Sequence, residues 1–149
     1  MSRIKAAALE KEGPFVGILV LPPIPIQEQM KAEGKMPEGR HLRAIIDTGA
    51  ESSSVSIKTL NELNLLSRNF RERISTDGKI QQPVYDVVIQ IQFGADAPPV
   101  NFQLEVAGLN LDQFGIYALI GRDILRLCKL NYNGAEGKHK LEFLGDMTS

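Results

Sequence analysis

Ile45-Ile46-Asp47-Thr48-Gly49-Ala50 is the stretch that says most about the fold of this 149-residue chain. Two β-branched apolar residues predict a buried strand, and a hydroxyl-glycine turn must end it. An acid at the end of a buried strand lies near backbone amides and a hydroxyl group that can orient its carboxylate. We therefore predict that Asp47 is a catalytic residue, and Asp-Thr-Gly occurs once in the chain.

The bulk composition is that of an ordinary globular protein and excludes several function classes. A net charge of −1 gives no electrostatic reason to expect nucleic acid or an anionic membrane as a partner. The single cysteine, Cys128, excludes an intrachain disulfide framework and fits a reducing compartment. Charges interrupt any apolar run near the N-terminus, so we expect no signal peptide and a cytoplasmic protein. No zinc-ligand spacing or phosphate-binding glycine loop is present, which predicts no metal and no cofactor.

The hydrophobic pattern around Asp47 predicts a mostly-β fold with one or two short helices. We expect residues 1–149 to form a single domain, with 1–13 as a flexible N-terminal segment and 22–40 as an inserted loop that has room for a short helix at 27–33. The predicted strands are 14–21, 42–46, 70–76, 84–93, 100–106 and 114–120, followed by a closing hairpin of 130–132 and 141–143. The predicted helices are 57–63, ended by Asn64, and 124–128.

A second apolar motif lies about seventy residues after Asp47: Ala118-Leu119-Ile120-Gly121-Arg122-Asp123. Chance alone places an Asp-Thr-Gly in a chain of this length at roughly a few per cent, so the tripeptide needs this context. Together, the two motifs and the hairpin predicted between them resemble the retropepsin-like, or retroviral-type, aspartic peptidases, of the cellular, non-viral kind. The resemblance runs from about residue 14 to residue 143 and implies an acid-protease half-barrel that is closed by homodimerisation.

The resemblance also implies a mechanism and a partner. Aspartic peptidases use two carboxylates that share one proton, so that one acts as a base on water while the other polarises the peptide carbonyl. This chain has one Asp-Thr-Gly, so the second carboxylate would be Asp47 of a second subunit on a twofold axis. The implied activity is endopeptidase cleavage of a peptide or protein substrate by a homodimer.

Residues next to Asp47 take their expected roles from the same resemblance. Thr48 would hydrogen-bond across the dyad to its partner chain, although a turn hydroxyl that caps its own loop is the alternative. Gly49 would leave room for the substrate backbone and accept a hydrogen bond from it. Ala50 would line a side-chain pocket. Glu51, where the family usually has Asp, would lie in the substrate cleft.

The second motif would support the site without performing chemistry. Leu119, Ile120 and Gly121 are expected to pack behind the catalytic loop, with glycine permitting a close approach. Arg122 would brace the loop through an ion pair with Glu51, unless the two are unrelated surface charges.

Thr76, Asp77 and Gly78 fall where the family has the tip of a hairpin flap that covers the substrate. The tip is polar here, whereas viral flaps are richer in glycine and apolar residues, and this difference leaves the substrate preference open. Two other functions therefore stay open. One is a non-catalytic retropepsin-fold module for dimerisation or peptide binding. The other is a hydrolase that pairs Asp47 with an acid of the same chain.

Overall fold

The computed structural model describes residues 13–145, so the expectation of a flexible N-terminal segment falls, apart from Gly13, outside the described residues. Nine strands account for nearly half of this range and far outweigh its helices. In chain order they are β1 (Phe15–Leu21), β2 (Arg40–Ile46), β3 (Ser54–Ser56), β4 (Asn69–Ser75), β5 (Gly78–Ile91), β6 (Val100–Leu109), β7 (Ala118–Ile120), β8 (Cys128–Asn133) and β9 (Lys138–Phe143). The all-β fold class predicted from the sequence is confirmed.

Three short α-helices lie between the strands in this range: α1 (Ile24–Ala32), α2 (Ile57–Glu62) and α3 (Arg122–Leu125). Helix α1 occupies the inserted segment and begins three residues before the predicted start, because Pro25 fits the first turn of a helix. Helix α2 ends as predicted, with Asn64 in the left-handed conformation at φ 59°. No described helix combines the length and the apolar character needed to cross a membrane.

Seven strands form one sheet in the order β1-β2-β7-β3-β6-β5-β4. Strand β5 has 14 residues, which is long enough to pair with β4 through its first half and with β6 through its second. The second half also pairs with β1, where Leu19–Leu21 lie opposite Val88–Gln90. The ring of strands expected as a half-barrel therefore closes within one chain through this pairing, without strands from a second subunit.

Strand β7 occupies the position that organises the sheet around Asp47. It runs parallel to β2, with Ile46 opposite Ile120, and antiparallel to β3, with Ser54 opposite Leu119. The loop from Asp47 to Ser53 therefore begins at the end of β2, on one side of β7, and leads into β3, on the other side of β7. The predicted packing of the second motif behind the Asp47 loop follows from this order.

The core fills the interior of the strand ring. Its fully buried members include Val20, Ile89, Val106 and Ile120, each 0% exposed. On β5 the inward set is Val87, Ile89 and Ile91, every second residue, as the alternation of side chains along a strand requires. Val88 on the opposite face is also buried.

The prediction of a strand over 114–120 is wrong for its first half. Residues Asp112–Phe114 form a 3₁₀ turn, and Phe114 is 70% exposed. Two features end the extended conformation here, one local and one long-range. Gly115 adopts a left-handed φ of 73°, and the Asp112 carboxylate accepts a hydrogen bond from the Ser56 hydroxyl at 2.8 Å. Only Ala118–Ile120 remain extended.

The closing hairpin predicted near the C-terminus is present as β8 and β9 and forms a separate two-stranded sheet. Phe143 packs on the larger sheet, with ring centroids 5.5 Å from Phe93 and 5.8 Å from Phe102. The imidazole Nε2 of His139 lies 2.6 Å from the carbonyl oxygen of Phe15, in hydrogen-bonding contact with β1. The hairpin therefore contacts both β1 and β6 of the ring.

Candidate active site

Asp47 follows β2 directly, and its backbone remains part of the sheet. Its N–H donates to the carbonyl of Ile120 at 2.9 Å, which extends the pairing of β2 and β7 by one residue. The N–H of Ala50 donates back to the Asp47 carbonyl at 3.2 Å and closes the turn. These two backbone hydrogen bonds therefore fix the position of Asp47 at the point where the chain leaves the core.

The Asp47 carboxylate is half-buried and points along its own turn. Its Oδ1 accepts a hydrogen bond from the Gly49 N–H at 3.0 Å, the arrangement of an Asx turn. A Cβ at Gly49 would lie 3.3 Å from the same oxygen, so glycine keeps that side of the acid open. Among residues 13–145, Oδ2 has no hydrogen-bond partner, and it is the oxygen left to meet water or another carboxylate.

Gly121 and Arg122 hold the loop from behind. The backbone N–H of Arg122 donates to the Ala50 carbonyl at 2.9 Å, and its guanidinium Nη1 donates to the Thr48 carbonyl at 2.8 Å. At Gly121 a Cβ would lie 2.6 Å from the carbonyl carbon of Ser52, closer than Cβ atoms approach backbone. The close approach predicted for this glycine is therefore a steric requirement.

Ser53 and Asp123 join the two motifs, and the sequence reasoning missed both. Ser53 is fully buried; its hydroxyl donates to Asp123 Oδ1 at 2.7 Å and accepts from the Gly121 N–H at 3.0 Å. The Ser53 N–H donates to Asp123 Oδ2 at 2.9 Å, and the Ile124 N–H donates to Oδ1. The sequence signal for this link is an acid directly after Gly-Arg together with the run of serines after Asp-Thr-Gly, although serines before a helix are equally typical of N-caps.

Of those serines, Ser56 is the one that caps a helix, since its side chain accepts from the Thr59 N–H. The predicted ion pair between Glu51 and Arg122 is wrong: no such pair lies within 4.0 Å in the described part of the chain, because the guanidinium turns toward the Thr48 carbonyl. Glu51 is an exposed residue of the same loop. Thr48 is also exposed, and its hydroxyl has no hydrogen-bond partner among residues 13–145.

Strands β4 and β5 form the hairpin expected as a flap. Ser75 pairs with Gly78, so Thr76 and Asp77 make a two-residue turn at its tip, and Gly78 has a φ of 113°. At its base the hairpin is attached to the Asp47 loop: Arg71 Nη1 donates to the Ser52 hydroxyl at 2.9 Å. The structure thus brings the hairpin to the same side of the sheet as the loop.

Other candidate chemistry is sparse in the described range. No group of three or more His, Cys, Asp or Glu side chains in residues 13–145 is arranged to hold a metal ion. Burial raises the pKa of the Cys128 thiol, which disfavours the nucleophilic thiolate. A groove of about 730 Å³ lies between α1, residues 64–66 and strands β5 and β6, and Asp47 is not among its lining residues.

Comparisons with known proteins give a limited picture. No protein-family model and no curated protein matches this chain. Among solved structures, it is similar to the EIAV protease complexed with the inhibitor HBY-793, at 19% identity and a TM-score of 0.42. The similarity covers 76% of this chain and 85% of that protein. Likeness at this level says nothing about activity, so the functional argument rests on the geometry of the loop.

Replacing Gly121 with alanine tests the steric requirement. The new Cβ would overlap the Ser52 carbonyl group, and overpacking of this kind costs about 1–3 kcal/mol of the free energy of unfolding. Urea denaturation measures the loss. Gly17→Ala is the matched control, because a Cβ there meets nothing within 4 Å. Equal stability of the two variants would contradict the close approach.

Removing the Ser53 hydroxyl tests the link between the motifs. Ser53→Ala leaves the Gly121 N–H and one Asp123 carboxylate oxygen short of a partner, which costs about 1–3 kcal/mol when the groups are buried. Ser54→Ala serves as the control, since that side chain makes no hydrogen bond in the described residues. Thermal denaturation should separate the two variants, and a Ser53→Ala protein as stable as the control would rule the link out.

Proposed function

We propose that this protein is an aspartic endopeptidase whose catalytic dyad consists of Asp47 from each of two subunits. The observation that carries the proposal is the Asp47 carboxylate itself: Oδ1 is held by the Gly49 N–H, Oδ2 is left without a partner, and the loop is braced from behind. One acid is oriented, and the second that the chemistry needs is supplied by the partner.

The chemistry follows from bringing two such carboxylates together. Two like charges about 3 Å apart do not both ionise near neutral pH, so the pair keeps one proton between them. The ionised member takes a proton from a bound water, and that water attacks the carbonyl carbon of the scissile peptide bond. The protonated member donates to the carbonyl oxygen. The pair titrates as a unit, and its two pKa values belong to the dyad.

Neighbouring residues have supporting roles in this proposal. Thr48, whose hydroxyl is exposed, bonds across the dyad and keeps the two loops in register. Gly49 and Ala50 border the substrate backbone, and Glu51 borders its side chains. Thr76, Asp77 and Gly78 close over the peptide as the flap tip and exclude water. Leu119, Ile120, Gly121 and Arg122 hold the loop and do not touch the substrate.

The first test is cleavage of a peptide library at mildly acidic pH by the wild type and by Asp47→Asn. Asparagine keeps the shape of the side chain but cannot act as the base, so the variant should lose cleavage by at least about a hundredfold. Asp96→Asn, which changes an exposed acid in the loop between β5 and β6, should cleave at the wild-type rate.

Two results would contradict the proposal. Cleavage that persists in Asp47→Asn would place the chemistry elsewhere. A wild-type protein that cleaves no peptide but forms a stable dimer and binds peptides would favour the non-catalytic module.

A further inference from the structure

The hairpin of β4 and β5 has two chemically different faces. Side chains alternate along a strand, so Arg71 and Arg73 share one face, and antiparallel pairing places Gln82 and Ile80 opposite them on that face. Arg71 and Arg73 lie about 7 Å apart along the strand, with Arg73 nearer the tip.

The other face has a different character. It carries Phe70, Glu72 and Ile74 from β4, with Lys79 opposite Ile74. Lys79 and Glu72 form an ion pair at 3.2 Å, so their charges are matched on the hairpin itself. Ile74 is 81% exposed.

Two contacts identify the face with Arg71 and Arg73 as the one that looks toward the candidate active site. Arg71 donates to the hydroxyl of Ser52, five residues after Asp47 in the same loop. On the neighbouring strand, Gln82 Nε2 donates to the Gly108 carbonyl of β6, the strand beside β3. The side chains of this face that lie closer to the tip therefore overhang the space beside the loop.

The two arginines differ in their partners. The guanidinium of Arg71 is engaged, since Nη2 donates to Glu105 Oε1 at 2.9 Å while Nη1 bonds Ser52. Arg73 is exposed and has neither an ion-pair nor a hydrogen-bond partner among residues 13–145. A cation that no carboxylate of the described residues neutralises therefore lies between the anchored base of the hairpin and its tip.

We propose that Arg73 is a specificity-determining residue that binds an acidic side chain of the peptide substrate, an inference that rests on the proposed peptidase function. A guanidinium binds a carboxylate through two parallel hydrogen bonds, which suits a Glu or Asp of an extended peptide. Glu51 lies in the Asp47 loop. An acidic side chain of the substrate is therefore repelled by this loop and attracted to Arg73 on the hairpin. In a twofold dimer each subunit presents one Arg73, and acidic residues are favoured on both sides of the scissile bond.

The test compares peptides that differ only in charge. Matched substrates carry Glu, Gln or Lys at the positions that flank the cleaved bond, and kcat/KM is measured for the wild type, Arg73→Gln and Arg73→Glu. An exposed ion pair of this kind favours the Glu peptide over the Gln peptide by roughly two- to fivefold per site. Arg73→Gln should abolish that preference, and Arg73→Glu should transfer it to the Lys peptide.

Lys79→Glu is the matched control, because it makes the same change of charge on the opposite face of the same hairpin and should keep the preference for Glu. Raising the salt concentration should reduce the wild-type preference through screening. Equal cleavage of the Glu and Gln peptides by the wild type would overturn the inference. So would a preference for Glu that persists in Arg73→Glu.

Binding is measured in parallel, so that this inference and the proposed function fail separately. Fluorescently labelled Glu and Gln peptides are titrated with Asp47→Asn and with Asp47→Asn carrying Arg73→Glu. If the wild type cleaves nothing, the peptidase function fails, yet tighter binding of the Glu peptide that depends on Arg73 still supports the acidic preference. Equal binding of the two peptides to Asp47→Asn would contradict the proposed preference for acidic side chains, whether or not the wild type cleaves.

Discussion

The approach of the Gly121 backbone to the Asp47 loop is the constraint on which the rest of this structure depends. A side chain at Gly121 would overlap the Ser52 carbonyl group, and in its absence β7 lies between the strand that enters the loop and the strand that leaves it. The backbone bonds from Asp47 to Ile120 and from Arg122 to Ala50 then hold the loop at both ends. Asp47 leaves the core with its carboxylate already oriented, and little conformational freedom remains to be lost on binding.

The hydrophobic pattern was a good guide where a strand is long and one face is buried. Strands β1, β2, β4 and β6 were predicted within a few residues, because alternation and turn residues are local properties. Strand β5 was predicted only in its second half, since it begins at Gly78 and not at residue 84. The 3₁₀ turn at Asp112–Phe114 was missed, since it depends on a hydroxyl 56 positions earlier in the chain. The closure of the ring between β1 and β5 is likewise a long-range pairing that no local pattern records.

The same distinction between local and long-range features applies to the candidate site. The position of Asp47 at a strand end and the close approach at Gly121 could be predicted because both have local signatures, whereas the catalytic role of Asp47 stays a prediction. The buried link between Ser53 and Asp123 spans 70 positions, and a row of serines before a helix is equally typical of N-caps, so no local pattern predicts the link. Arg122 supports the loop as expected but binds a backbone carbonyl rather than Glu51. A long side chain that reaches across to a neighbouring loop has several acceptors within range, and the sequence does not rank them.

The account's central claim is that each active site takes one Asp47 from each of two chains, and mixing subunits tests it most directly. Wild-type protein at fixed concentration is mixed with increasing Asp47→Asn protein, and cleavage is measured with substrate in excess after the subunits have exchanged. A shared dyad predicts that cleavage per wild-type chain falls to about half in an equal mixture and to about a tenth at a ninefold excess of the variant. Cleavage that stays constant across the series would show that a single chain carries the whole catalytic apparatus.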